Sequence, residues 1–125
     1  MNNKLIGNEF EKEVCQILAS HGWWVHFINP DRKGAQPFDI IAVKDEEAGA
    51  IDCKTSARPI FHYTRLEDNQ VNAFEKWLAC GNDNAVLIIK YNGHIYCIDY
   101  QVLKKYGKVD LRLEQPWEYD YENNT

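Results

Sequence analysis

Two apolar runs in the middle of the chain restrict its fold most. "FDIIAVK" (Phe38 to Lys44) and "GAIDCKT" (Gly49 to Thr55) are joined by the polar stretch "DEEA". Short runs rich in β-branched residues around a polar turn form a β-hairpin. The "IIAV" segment is apolar on both faces, as an inner strand covered on both sides requires. Inner strands are depleted of Asp and Lys, because neither a ladder nor a core solvates charge. Yet Asp39 opens the first strand, and Asp52 and Lys54 close the second. Three explanations compete: an edge strand using charge against aggregation, a structural Asp–Lys ion pair, or a functional site.

The surrounding elements favour an inner hairpin. Lys4 to His21 has Ile6, Phe10, Val14, Ile17 and Leu18 at helical spacing, with Gly22 as a stop signal. "WWVHFI" (Trp23 to Ile28) is an aromatic and β-branched strand, and "NPDRKGAQP" (Asn29 to Pro37) a loop. After the hairpin, "SARPIFHYTRL" (Ser56 to Leu66) has no regular period. Glu67 to Cys80 forms a second helix, with Val71, Phe74, Trp77 and Leu78 on one face. "AVLIIKY" and "HIYCIDY" flank Asn92-Gly93, a strong signal for a type I′ turn. "QVLKKYG" is a short helix and "KVDLRL" a last short strand. The expected order is αβββαββα(β). It gives an α/β fold with a mixed central sheet of about five strands flanked by helices.

The chain has 125 residues, enough for one domain with one core, expected over 1–113. The segment 114–125 carries four carboxylates and no base, and is expected to be a mobile acidic tail. No apolar run reaches membrane-spanning length and no signal-peptide core opens the chain, so a cytoplasmic protein without membrane contact is expected. Cys15, Cys53, Cys80 and Cys97 form no C-x-x-C pair and sit within apolar patterns, as reduced buried hydrophobes do. The four His are scattered without ligand spacing. The net charge of −5 excludes a general nucleic-acid coat but not a local basic face or a carboxylate-bound metal.

Alternation puts Asp52 and Lys54 on one face of their strand and Cys53 on the other. With the turn centred between Glu46 and Glu47, Asp39 opposes Lys54 and Ile41 opposes Asp52. Asp39 and Asp52 are then diagonal neighbours, roughly 7–8 Å apart. At that distance two carboxylates can converge on one divalent cation. A slip of one residue would place them on opposite faces.

A helix-borne acid ahead of this hairpin completes a pattern. "GNEFEKEVCQIL" carries Gly7 and Glu11, followed by Pro37-Phe38-Asp39 and Asp52-Cys53-Lys54. That order resembles the PD-(D/E)XK nuclease superfamily and its restriction-endonuclease-like core. Within it the chain resembles Holliday junction resolvases of the bacterial RecU type and the archaeal type. Those share a G-x-x-x-E first helix, and the RecU type has a Gln at the start of the second helix, matched here by Gln70. The resemblance spans roughly Lys4 to Tyr106. The chain departs from it by having Asp52 where Glu is usual and Asn69 where RecU-type enzymes have His. Its loops are also too short for their protruding stalk.

The resemblance implies a DNA endonuclease using Mg²⁺, with Mn²⁺ as a substitute. Asp39, Asp52 and the backbone carbonyl of Cys53 would be ligands, with Glu11 a further one, direct or through water. Glu9 or Glu13 would take that place if the helix phase differed. Lys54 would orient or deprotonate the attacking water, or stabilise developing charge, and Gln70 would position water or phosphate. Arg32, Lys33, Arg58 and Arg65 are candidate phosphate contacts, and Thr55 and Ser56 candidate phosphate donors. A four-way junction has near two-fold symmetry and needs two cuts, so a homodimer is the expected form. The alternatives are a nuclease of this fold acting in restriction, repair or phage biology on duplex, flap or single-stranded DNA, and a non-catalytic DNA-binding module.

Overall fold

The computed structural model describes residues 3–28 and 37–123, with side chains described over 9–28 and 37–120. Helix α1 (Asn3–Ser20) precedes strands β1 (Trp24–Phe27), β2 (Ile40–Lys44), β3 (Glu47–Thr55) and β4 (Ile60–His62). A single 3₁₀ turn leads into α2 (Asp68–Ala79), then β5 (Asn84–Tyr91), β6 (His94–Asp99), α3 (Tyr100–Tyr106) and β7 (Lys108–Asp110). A second 3₁₀ turn over Leu111–Leu113 precedes α4 (Glu118–Asn123).

The main sheet has the order β1-β2-β3-β5-β6, so β3 is its central strand. Strands β1, β2 and β3 form an antiparallel meander, and α2 is the crossover to β5, which runs parallel to β3. Such a crossover needs a helix's length of chain. Each face of the sheet buries its own cluster. Phe10, Val14, Ile17 and Leu18 of α1 pack on Ile40, Ala42, Ile51, Ile88 and Ile95. On the other side Phe74 of α2 and Tyr100 and Leu103 of α3 pack on Ala50, Leu87, Ile89 and Ile98. The continuous apolar reading of "IIAV" and "VLII" follows from this double coverage.

The central hairpin differs from the expected register. Its loop is the two-residue Asp45-Glu46, both with positive φ (52° and 67°). Pairing runs Ile40 to Ile51, Val43 to Ala48 and Lys44 to Glu47. Two residues at positive φ give the I′ turn whose twist matches that of the strands. The same register puts Lys44 opposite the oppositely charged Glu47. The shift from the expected pairing is even, so Ile40–Lys44 keep the faces expected of them, while Asp39 lies outside the paired residues. Asn92-Gly93 forms the expected turn, with φ of 52° and 80°.

Four further expectations change. The Ser56–Leu66 segment is partly regular, because β4 pairs antiparallel with β7 in a second, two-stranded sheet. That pairing claims only Lys108–Asp110, and the chain then turns into 3₁₀ geometry. The tail expected to be mobile is docked as far as Asp120. Trp117 N–H donates to the Ile95 carbonyl at 2.7 Å, and the Tyr119 ring stacks on His21 at 4.0 Å. The buried Asp120 carboxylate accepts from Ile95 N–H at 3.3 Å and contacts His94 Nδ1 at 3.1 Å. Its acidity hid an amphipathic clamp. Of the cysteines, all free, Cys15 and Cys53 are partly buried but Cys80 and Cys97 are exposed.

Candidate active site

Where β2 begins, its ladder with β3 is irregular. Ile51 is the partner of Ile40, yet its carbonyl accepts from Asp39 N–H at 3.1 Å. Two residues of one strand thus face one of the other, the arrangement of a β-bulge. Beyond it the Asp39 side chain takes over the role of the ladder: Oδ2 accepts from Cys53 N–H at 2.8 Å. Asp39 is anchored at the lip of the sheet, beside Asp52 in the central strand.

The sequence-selected residues converge there. Glu11 comes from α1, Asp39 from the bulge, Asp52 and Lys54 from β3, and Gln70 from the first turn of α2. Asp52 is only 1% exposed and Asp39 8%. Asp39 shares hydrogen bonds with both Glu11 and Asp52. Burial pushes the Glu11 carboxyl up to about 7, the Asp39 charge pushes it further, and Lys54 opposes both. Burial pushes Asp52 up to about 8, again with Asp39 adding and Lys54 opposing. Asp39 is raised by burial, against the Cys53 amide bond and the Lys54 charge. The field reaches the nearby thiols: burial first, then Glu11 and Asp39, lifts Cys15 to about 11.

Glu9 and Glu13 do not take the place of Glu11. Glu9 is exposed. Glu13 is turned to the side and held by Lys90 Nζ at 2.9 Å. Lys54 Nζ donates to Gln70 Oε1 at 3.1 Å, and the same oxygen accepts Glu67 N–H at 3.0 Å. The Glu67 side chain in turn accepts the Gln70 backbone N–H, closing a capping box at the start of α2. Both partners of Oε1 can only donate, so the Gln70 amide is oriented and its NH₂ faces away from Lys54. The i, i+3 spacing of Glu67 and Gln70 is that of a capping box, the bland role open to Gln70 alongside a functional one.

Whether these residues suit a divalent cation can be judged from their oxygens. Glu11 Oε2 and Asp52 Oδ2 are buried without a hydrogen-bond partner. Leaving a buried acceptor unsatisfied costs about 1–3 kcal/mol, more for a charged one. Among the described residues no three His, Cys, Asp or Glu side chains close into a ready ligand set. The carboxylates are tied to one another instead. Three crowded carboxylates with two orphaned oxygens nonetheless offer the hard, all-oxygen environment that Mg²⁺ and Mn²⁺ favour. The residues fit such an ion.

The candidate phosphate contacts divide. Thr55, Ser56, Arg58 and Arg65 line the stretch where β3 leaves the site. Arg65 Nη2 donates to the Thr55 carbonyl at 3.1 Å and its guanidinium lies over the Phe61 ring at 4.6 Å. Ser56 Oγ donates to the Arg58 carbonyl at 2.7 Å, so its hydroxyl is engaged in a local turn. Arg32 and Lys33 lie outside the described residues. Of the adjacent tryptophans, Trp23 packs inward and donates to Tyr119 Oη at 3.3 Å, while Trp24 is 60% exposed.

Comparison with known proteins places the chain in a family. The chain is 26% identical over 111 residues to the crossover junction endodeoxyribonuclease Hjc of Methanocaldococcus jannaschii, covering 86% of this chain and 78% of that protein. Its fold matches the structure of Archaeoglobus fulgidus Hjc, a Holliday junction resolvase, with a TM-score of 0.65 and 18% identity, over 84% of this chain and 87% of that one. It also matches the bacterial homing endonuclease I-Ssp6803I, with a TM-score of 0.60 and 15% identity, over 94% and 83%. At those identities the structural likeness shows a shared fold. The profile of the archaeal Holliday junction resolvase (Hjc) family matches residues 2–120. With nearly its whole length matched, the chain belongs to the archaeal Holliday junction resolvase (Hjc) family, a family of DNA-cleaving hydrolases.

Proposed function

We propose that this chain hydrolyses phosphodiester bonds of four-way DNA junctions in a reaction dependent on a divalent cation, Mg²⁺ by preference and Mn²⁺ as a substitute. The observation that carries the metal requirement is the pair of orphaned oxygens, Glu11 Oε2 and Asp52 Oδ2, in a cluster of two buried carboxylates and the half-buried Glu11. Asp39, Asp52 and Glu11 would hold the ion, with the backbone carbonyl of Cys53 as the main-chain acceptor next to the amide that Asp39 engages. When bound, the ion supplies charge neutralisation for the phosphate and activation of water.

The chain's own residues do the rest. Lys54 brings an ammonium close enough to oppose the carboxylates, and Gln70 holds its Nζ in place. The ammonium can orient the attacking water and balance charge developing on the phosphate. The Gln70 NH₂, turned away from Lys54, would donate to a phosphate oxygen. Arg58 and Arg65 supply positive charge at the mouth of the site, with the Thr55 carbonyl fixing the Arg65 guanidinium. The protein acts as a homodimer, because two symmetric cuts require two copies of the site. The exposed Trp24, on the edge strand β1, and its cross-strand partner Val43 on the neighbouring β2 offer an apolar patch for that contact. Among the described residues no helix is long and apolar enough to cross a membrane, and we place the protein in the cytoplasm with its DNA.

The test is cleavage of a four-way junction, plain duplex and single strands in Mg²⁺, Mn²⁺ or EDTA, beside Asp52→Ala. Metal-dependent cutting of junctions that Asp52→Ala abolishes is expected. Preference for plain duplex would instead favour a restriction- or repair-type substrate. Absence of metal-dependent cleavage would favour a non-catalytic DNA-binding module.

A further inference from the structure

Two stretches of this acidic chain contain bases and no acids. Between Thr55 and Leu66 lie Arg58 and Arg65, and between Tyr100 and Val109 lie Lys104, Lys105 and Lys108. They are about 45 residues apart in sequence, and the small β4–β7 sheet joins them. His62 is the direct partner of Lys108, so the two side chains share a face. Tyr63 N–H donates to the Gly107 carbonyl at 2.9 Å, and Leu111 N–H to the Pro59 carbonyl at 2.8 Å. The opposite face of the sheet, Phe61 and Val109, is buried in the core.

Lys104 is engaged by Glu75 of α2 and Arg112 by Asp110. His62, Lys105 and Lys108 are exposed, and among the described residues none of them is used by an ion pair. Lys105 Nζ lies 5.3 Å from the centre of the Tyr106 ring, which is 66% exposed, at the corner that leads into β7. An exposed aromatic beside a lysine at such a corner suits the sugar–phosphate edge of a nucleic acid. The sheet adjoins the site directly, since Arg65 is tied to Thr55 and Gln70 follows five residues later.

We propose that the exposed face of the β4–β7 sheet, with His62, Lys105, Tyr106 and Lys108, is a track for the phosphate backbone of a duplex arm leading away from the cleavage site. This rests on the reading of the chain as a DNA nuclease and extends its DNA surface to a segment far from the active-site motif. Phosphate contacts of this kind set position and affinity without reading sequence. They give binding its salt dependence, through release of about 0.9 counterion per neutralised phosphate.

The test measures the Kd of the full chain for a four-way junction and for a plain duplex of the same arm sequence, in EDTA, from low to moderate salt. Wild type is compared with the double variant Lys105→Ala and Lys108→Ala, and with Lys12→Ala and Lys76→Ala, which remove the same charge from exposed sites on α1 and α2. The track predicts that log Kd against log salt becomes shallower by about 1.8 for the first pair, with binding weakened roughly ten-fold or more at 0.1 M salt. The second pair should keep close to the wild-type slope. Equal slopes for the two pairs, on both DNAs, would overturn the track. Wild-type protein that binds these DNAs but cuts neither would count against the function and leave the slope comparison to decide the track.

Discussion

Glu13 and Glu11 stand two residues apart on α1 and meet opposite fates. Glu13 reaches Lys90 at 2.9 Å, with both side chains partly in solvent. Its charge is answered, and such a pair contributes at most about 1 kcal/mol. Glu11 enters a buried cluster with two other carboxylates, and its Oε2 has no partner. Lys54, which opposes its charge, is shared with Asp39 and Asp52. The difference teaches how to tell structural from functional acid in a small domain. An answered charge holds the fold together. An unanswered one costs stability and marks the candidate ligand site.

The sharpest way to break that comparison is to remove the most buried acid. Asp52→Ala should abolish cleavage by at least about 10³-fold, since it removes a proposed metal ligand. The metal-free protein should melt no lower than wild type, because a buried carboxyl with an unsatisfied oxygen leaves a crowded cluster. A thermal melt alongside the cleavage assay checks both. Glu11→Gln should follow with a loss of roughly 10–100-fold in cleavage, while Glu13→Gln keeps the wild-type rate. Equal losses for the two glutamates would erase the distinction.

A pH titration of the metal-free protein sharpens it further. Glu11 and Asp52 sit at about 7 and about 8 in the folded chain, against about 4 when unfolded. Around neutral pH the folded state therefore holds protons that the unfolded state has released. The contribution of these groups is most favourable below the unfolded values and declines as pH rises toward 8. Melting temperature should fall from pH 5.5 to pH 8, and Mg²⁺ should restore more at pH 8 than at pH 5.5. The smallest effect belongs to the answered pair: Lys90→Met should cost about 1 kcal/mol or less and leave cleavage intact.

Much of this was legible in the residues. Alternation alone placed Asp52 and Lys54 on one face, and the double-sided apolarity of "IIAV" identified a covered strand. The turn was harder. Asp45-Glu46 is not a typical I′ pair, and the Lys44–Glu47 cross-strand match that supports it shows only once a register is assumed. The bulge at Asp39 was not legible, because it depends on which carbonyl Asp39 N–H finds. The β4–β7 pairing was missed because each strand has three residues, too few for a period. The docked tail was missed because its charge outweighed Trp117 and Tyr119, which pack on the α1 face of the sheet. Choosing Glu11 over Glu13 needed Lys90, from a strand 77 residues away.

The central claim is that the buried carboxylates are left unanswered in order to hold a divalent cation. Calorimetric titration of Mn²⁺ into wild type, Asp52→Asn and Glu13→Gln tests it without any DNA. Wild type and Glu13→Gln should bind the ion alike, and Asp52→Asn should lose the binding heat. Equal binding by all three proteins, or none by wild type, would contradict the account.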